Sequence, residues 1–149
     1  MIYWIIGQSC SGKTTLAKLF HAQGTNLLYL DGDDLRKIFG NSYSPAHFTR
    51  EYREEQTKCL QRFVAHISDQ GFIVVVATVN PYRDIREQFK RSRDDVTEIY
   101  IHKTDARQRE HFAVVDYEEP LTDFIDINTT GHTPEESLRE LLRKISRRA

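Results

Sequence analysis

The sequence predicts an α/β domain whose core is a five-stranded parallel sheet with helices on both faces. Three observations carry this reading. Short apolar runs alternate with segments of helical periodicity along the 149 residues. A Gly-bounded loop, Gly7–Thr14, separates the first run from the first helix. The second run ends in acidic residues, at the edge where such sheets bind ligands. Strands that alternate with helices pair in parallel, and strands covered on both faces read as unbroken apolar runs.

Each element has its own signal. Residues 2–6 (Ile-Tyr-Trp-Ile-Ile) are the first strand, with Trp4 in the core. Residues 13–23 are a helix with Leu16, Leu19 and Phe20 on one face. Residues 26–30 are a second strand, and 33–39 a short helix closed by Gly40. Residues 46–70 are a long helix in which Tyr52, Leu60, Phe63, Val64 and Ile67 recur at helical spacing, and Gly71 stops it. Residues 72–79 are the most β-prone stretch and form a central strand. Pro81 opens the next helix, where its missing N–H costs little. Strands follow at 96–101 and 124–127. The last helix starts with a capping box: Thr133 as N-cap, Pro134 at N1 and Glu136 at N3. Its buried face is Leu138, Leu141, Leu142 and Ile145. Residues 1–149 read as one domain, with the polar, aperiodic stretch 103–119 as a loop over the site.

Composition narrows the function classes. Apolar residues make up 39% and charged residues 29%, which fits a soluble globular chain. With 21 basic and 22 acidic residues the net charge is -1, which argues against a duplex nucleic-acid partner. No apolar run approaches the ~20 residues of a membrane span, and residues 1–6 are too short for a signal peptide. Two cysteines, Cys10 and Cys59, make no disulfide framework, so a cytoplasmic setting is expected.

Gly7-Gln8-Ser9-Cys10-Ser11-Gly12-Lys13-Thr14 fits G-x-x-x-x-G-K-[ST], between a strand and a helix as the motif requires. Its backbone N–H groups converge on an anion, and the helix N-terminus adds its positive end. These residues and Thr15 are the predicted nucleotide-binding loop. Lys13 reaches the β- and γ-phosphates of ATP, and the Thr14 hydroxyl ligates Mg²⁺.

Leu30-Asp31-Gly32-Asp33-Asp34-Leu35-Arg36 supplies two carboxylates beside that nucleotide. One of Asp31 and Asp33 can take the proton of an attacking hydroxyl while the other holds a metal-bound water, with Asp33 the predicted metal-side group. Asp34 reads as a cap or a solvated first-turn residue. Arg36 is spaced to meet an anionic acceptor.

These residues resemble adenylylsulfate (APS) kinases. Gly7–Ala17 is similar to their phosphate loop, and 30–36 to their Leu-Asp-Gly-Asp-x-[Leu/Ile]-Arg segment. Arg50 resembles their substrate-side arginine, and Asn80-Pro81-Tyr82-Arg83 their Ser-Pro-Tyr-Arg. Tyr117-Glu118-Glu119-Pro120, 127–129 and 133–137 resemble their closing segments. The resemblance implies a nucleoside-monophosphate-kinase-like P-loop fold and transfer of the γ-phosphoryl group of ATP to a nucleotide hydroxyl. In that family this is the ribose 3′-hydroxyl of adenylylsulfate. Arg36, Arg50 and Arg83 would hold the phosphosulfate, and Asp31 and Asp33 would serve hydroxyl and metal.

The chain departs from the family pattern in three places. The basic Lys-Gly-Leu-Tyr lid motif is missing, which makes 103–119 a shortened lid. Around His111–Asp116 only Phe112 and Asp116 match the family's Phe-Thr-Gly-Ile-Asp, and Phe112 remains able to stack on a base. Arg53 stands where the family tends to have a substrate-side Asn. Arg107 and Arg109 are the lid arginines able to cover the transferring group. His102 and His111 lack partners at metal-ligand spacing, so Mg²⁺ is the one metal expected.

The expected partner is a small nucleotide acceptor, with a homodimer left open. A cytidine diphosphate derivative, a polynucleotide or modified-nucleoside acceptor, and a non-catalytic nucleotide-binding module remain as alternatives.

Overall fold

A computed structural model describes residues 1–40, 49–104 and 114–148. The elements run β1 (Ile2–Ile6), α1 (Lys13–His21), β2 (Leu27–Asp31), α2 (Gly32–Ile38), α3 (Arg50–Asp69), β3 (Ile73–Ala77), α4 (Arg83–Ser92), β4 (Val96–His102), β5 (Phe124–Asn128) and α5 (Pro134–Arg148). The strands form one sheet in the order β2-β3-β1-β4-β5, every pair parallel.

Period-2 alternation sends neighbouring residues to opposite cores. Ile5, Val75, Ile99, Ile101, Ile125 and Ile127 pack on one side with Leu16, Ala17 and Phe20 of α1 and Leu138 and Leu141 of α5. Trp4, Ile6, Val74 and Val76 pack on the other side with Val64 of α3 and Phe89 of α4. Two covered faces explain the unbroken apolar run in β1. Each fully buried Ile or Val contributes about 1.5–3 kcal/mol. The Trp4 ring meets Phe89 edge-on at 5.6 Å, and its N–H donates to Thr78 Oγ1 at 2.7 Å. An indole thus sits in the core without an orphaned donor.

Several boundaries differ from the sequence reading. α4 begins at Arg83 with Tyr82 as N-cap, because Asn80 (φ 41°) turns the chain before Pro81 can enter a helix. The central strand ends at Ala77 and the first helix at His21. Residues 46–48 of the predicted long helix lie outside the described residues. On that helix Phe63 is 44% exposed, whereas its neighbour Val64 is buried. The capping box forms as expected: Thr133 N–H donates to Glu136 Oε2 at 2.8 Å, and Glu136 N–H to Thr133 Oγ1 at 3.2 Å.

A polar cluster secures the loop between α4 and β4. Arg93 grips Asp95 through Nε at 2.7 Å and Nη2 at 2.9 Å, and Ser68 Oγ donates to Asp95 Oδ2 at 2.7 Å. The guanidinium first, and Ser68 with it, outweigh burial and hold the Asp95 carboxyl well below the usual carboxylate range. A depressed folded-state pKa stabilises above the unfolded-state value near 3.9, and that contribution fades as pH falls through the folded value. Asp95→Asn should therefore lower Tm at pH 7 by roughly 2–4 °C, the equivalent of about 1 kcal/mol for this partly exposed pair. Thermal melts from pH 7 to pH 2 should show the gap to wild type closing below about pH 4. A gap constant with pH would assign the loss to packing.

Candidate active site

In the order β2-β3-β1-β4-β5, the connection after β1 leads to one side of the sheet and that after β3 to the other. The crevice between them opens at the C-terminal strand ends, where parallel sheets hold ligands. The phosphate loop, the Asp31 segment and the Asn80–Arg83 segment all leave the sheet at this edge.

The loop is shaped by contacts that only particular residues allow. A Cβ on Gly7 would lie 2.2 Å from the Ile101 carbonyl oxygen, so the first glycine has no substitute. Gly12 (φ 98°) caps α1 without a side-chain bond, and α1 carries no acidic residue in its first turn. Its first N–H groups therefore suit an external anion. Lys13 Nζ donates to Gln8 O at 2.7 Å, which draws the ammonium across the loop. Thr129 Oγ1 donates to Ser11 O at 3.1 Å, joining the turn after β5 to the loop. Between that turn and the loop lies a cleft of about 260 Å³, bordered by Cys10, Thr15, Lys103, Thr129, His132 and Pro134. Cys10 and Cys59 are exposed and not joined in a disulfide.

The structure ties the loop directly to the acidic segment. Thr14 Oγ1 donates to Asp31 Oδ2 at 2.7 Å. Tyr29 OH donates to the same oxygen at 2.7 Å, and Asp33 N–H to Asp31 Oδ1 at 2.9 Å. The N-cap of α2 is thus Asp31 rather than Asp34. Burial pushes the Asp31 carboxyl up. Hydrogen bonds from Thr14, Tyr29 and the backbone of Asp33 and Asp34 outweigh burial and hold it below the usual carboxylate range. Burial, and then Asp31, raise the Tyr29 phenol. Asp33 is exposed on the first turn of α2, and Arg36 lies in its last turn.

Tyr29 is a site residue that the sequence reading missed. It stands two positions before Asp31 on one strand, and that spacing places both side chains on one face. Tyr29→Phe removes one of the donors that orient Asp31. We expect kcat to fall about 3- to 10-fold with fold and KM for ATP retained, on the scale of one hydrogen bond to a charged group. An unchanged kcat would release Tyr29 from the site.

The other predicted residues gather at the start of α3 and α4. The Arg50 guanidinium lies 4.3 Å from the centre of the Tyr82 ring. It bonds Glu54 through Nε at 2.7 Å, and its other nitrogens approach Asp84 at 3.5 Å and Glu118 at 3.7 Å. Arg83 N–H donates to Glu118 Oε2, and Arg83 Nε to Glu119 O, both at 2.7 Å. Arg53 lies one turn beyond Arg50 on α3 and adds positive potential at Tyr82. Asn80 and Pro81 are buried, and the Pro81 carbonyl accepts from Glu118 N–H at 2.9 Å. Phe112, Arg107, Arg109 and His111 lie outside the described residues.

Arg86 ties β4 to the Asn80 and Glu118 backbones. Its Nε donates to Glu98 Oε1 at 2.6 Å, Nη1 to Asn80 O at 2.7 Å and Nη2 to Glu118 O at 2.6 Å. Nothing in the sequence marks Arg86, Glu98 or Glu118 as acting together, because strand register and helix packing join them.

The model describing the adenylylsulphate kinase family matches residues 1–114. The chain belongs to the adenylylsulphate kinase family. Membership in this ATP-using phosphotransferase family agrees with the phosphate loop and its setting in a five-stranded parallel sheet. One relative, the adenylyl-sulfate kinase of Picosynechococcus sp., is 30% identical over 166 aligned positions, covering 96% of this chain and 92% of its own length. The cytidine diphosphoramidate kinase of Campylobacter jejuni is 28% identical over 167 positions, covering 97% and 96%. The APS kinase CysC of Mycobacterium tuberculosis, solved with AMPPNP and APS, superimposes with a TM-score of 0.76 at 19% identity, covering 97% of this chain and 96% of that one. A gluconokinase from Sinorhizobium meliloti reaches 0.71 at 17% identity, covering 99% and 92%. These two structures speak for the fold. No helix among the described residues is long and apolar enough to cross a membrane.

Proposed function

We propose that this family member transfers the γ-phosphoryl group of ATP to the ribose 3′-hydroxyl of adenylylsulfate. The Thr14–Asp31 bond at 2.7 Å carries the reading, because it sets the loop's hydroxyl against the first carboxylate of the acceptor side. Phosphoryl transfer asks the protein for positioning and for stabilisation of charge. Lys13 and the N–H groups of the loop grip the polyphosphate. Arg50 and Arg83, with Arg36 and Arg53 on neighbouring helices, offer cations to the acceptor's anionic groups. Tyr82 supplies an apolar wall beneath Arg50.

Mg²⁺ fits this donor set. It prefers a few hard oxygen ligands alongside phosphates to an all-protein cage. The described residues contain no cluster of three or more His, Cys, Asp or Glu able to hold a metal, whereas Thr14 and Asp31 present adjacent oxygens. Thr14 and Asp33 would hold the ion, with Asp31 orienting Thr14, and it would neutralise charge on the transferring group. In this division Asp31 stays anionic, and Asp33 would hold the ion through a bound water.

A second reading is favoured by the Campylobacter relative, which matches over nearly its full length: the acceptor is a cytidine diphosphoramidate. Incubation with radiolabelled ATP and either compound separates the two. A 3′-phosphorylated adenylylsulfate supports the first reading, and label on the cytidine compound alone replaces it with the second. ATP binding with transfer to neither would overturn both.

A further inference from the structure

Gln8 carries more than its place in the phosphate loop requires. Its amide makes two bonds to one distant residue: Nε2 donates to Val114 O at 2.9 Å, and Val114 N–H donates to Oε1 at 2.9 Å. This two-bond ring reproduces the pairing of neighbouring strands, across 106 positions of sequence. A generic phosphate loop needs only backbone groups at this position.

We propose that Gln8 is a positioning residue that hangs the acceptor-side wall, 114–119, from the phosphate loop and so couples nucleotide binding to acceptor binding. The connection is continuous. Gln8 O accepts from Lys13 Nζ at 2.7 Å, while the Gln8 side chain holds Val114. Val114 O also accepts from Tyr117 N–H at 3.3 Å, closing a turn that leads into Glu118. Glu118 then meets the Arg83 backbone N–H at 2.7 Å and the Arg50 guanidinium at 3.7 Å. A phosphate that engages Lys13 acts on the residue from which this wall hangs. Coupling of this kind is reciprocal, so the acceptor acts equally on the nucleotide. The proposal rests on the reading that Arg50 and Arg83 face the acceptor.

The test uses Gln8→Leu, similar in size but without the amide, and two readouts. Hydrogen exchange needs no acceptor. MgADP should slow exchange of the 117–119 amides at least about 5-fold in wild type and leave it unchanged in Gln8→Leu. Equal slowing in both proteins would overturn the coupling. Steady-state kinetics then use whichever of adenylylsulfate and cytidine diphosphoramidate the wild type phosphorylates. The acceptor KM should rise about 10-fold and the ATP KM less than about 3-fold. A rise confined to ATP would make Gln8 a loop residue and nothing more. If wild type phosphorylates neither compound, the acceptor assignment fails while the exchange result still decides the coupling. Should Gln8→Leu unfold, Gln8→Glu keeps the acceptor for Val114 N–H, loses the donor to Val114 O, and carries the same comparison with smaller changes.

Discussion

Lys13→Ala should lower kcat for phosphoryl transfer by at least about 10²–10³-fold, the scale for removing one preorganised donor from developing charge. The ammonium is the only cation that the motif places inside the loop. Arg50 and Arg83 do not replace it, because they stand at the starts of α3 and α4. Stability should change by less than about 1 kcal/mol. The bond to Gln8 O is lost, but alanine is a strong helix former at the first position of α1. Activity with labelled ATP, alongside a thermal melt, checks both halves. Full activity in a folded variant would remove the phosphate loop from the mechanism, and the proposed reaction with it.

Glu98→Gln should cost about 3–5 kcal/mol, the range for stripping one partner from a buried ion pair. Glu98 lies on β4 in register with Trp4 of β1 and Phe124 of β5, a position otherwise suited to an apolar side chain. It is tolerated because α4 delivers Arg86 at 2.6 Å and Lys90 at 2.6 Å onto its two oxygens. The side chains of Arg86 and Glu98 are each only 3% exposed. Without the carboxylate charge, Arg86 is left as a buried cation held by neutral oxygens alone, the new amide oxygen and the carbonyls of Asn80 and Glu118, and Tm should drop by about 10 °C. Replacing the set together, with Glu98→Leu, Arg86→Met and Lys90→Met, should restore most of that stability, since buried ion pairs gain little over apolar packing. Activity should not return with it. Asn80 O and Glu118 O would lose the donors that fix the acceptor wall, so the acceptor KM should stay raised about 10-fold. Recovery of both would make the ion cluster a stability feature alone. Denaturant melts and KM measurements on the two variants separate the outcomes.

The features legible in the sequence are those whose chemistry is local. The phosphate loop is eight consecutive residues whose backbone makes the site, and the Thr133–Glu136 box closes within one helical turn. The alternation of apolar runs and helical faces set the strand and helix order. Local reading erred where a neighbour decides the outcome. Pro81 looked like a helix start until the left-handed Asn80 delayed α4 to Arg83. Asp34 could be read as a cap or as a solvated first-turn residue, and the oxygens of Asp31 took the cap and left Asp34 exposed in the first turn. Phe63 had helical spacing, but the packed face of α3 centres on Val64.

The sequence by itself determined the parallel α/β class, the anion-binding loop and the kinds of charged group available to an acceptor. Only the tertiary structure decided which of those groups meet. Tyr29 and Thr14 converge on one oxygen of Asp31, Arg86 joins Glu98 to the carbonyls of Asn80 and Glu118, and Gln8 holds Val114. Most of these contacts span from 12 to 106 positions, and they exist because sheet order brings distant strand ends to one edge. Periodicity along a chain records which face a residue turns to the core. It carries no record of the partner waiting there, because that depends on how separate elements pack.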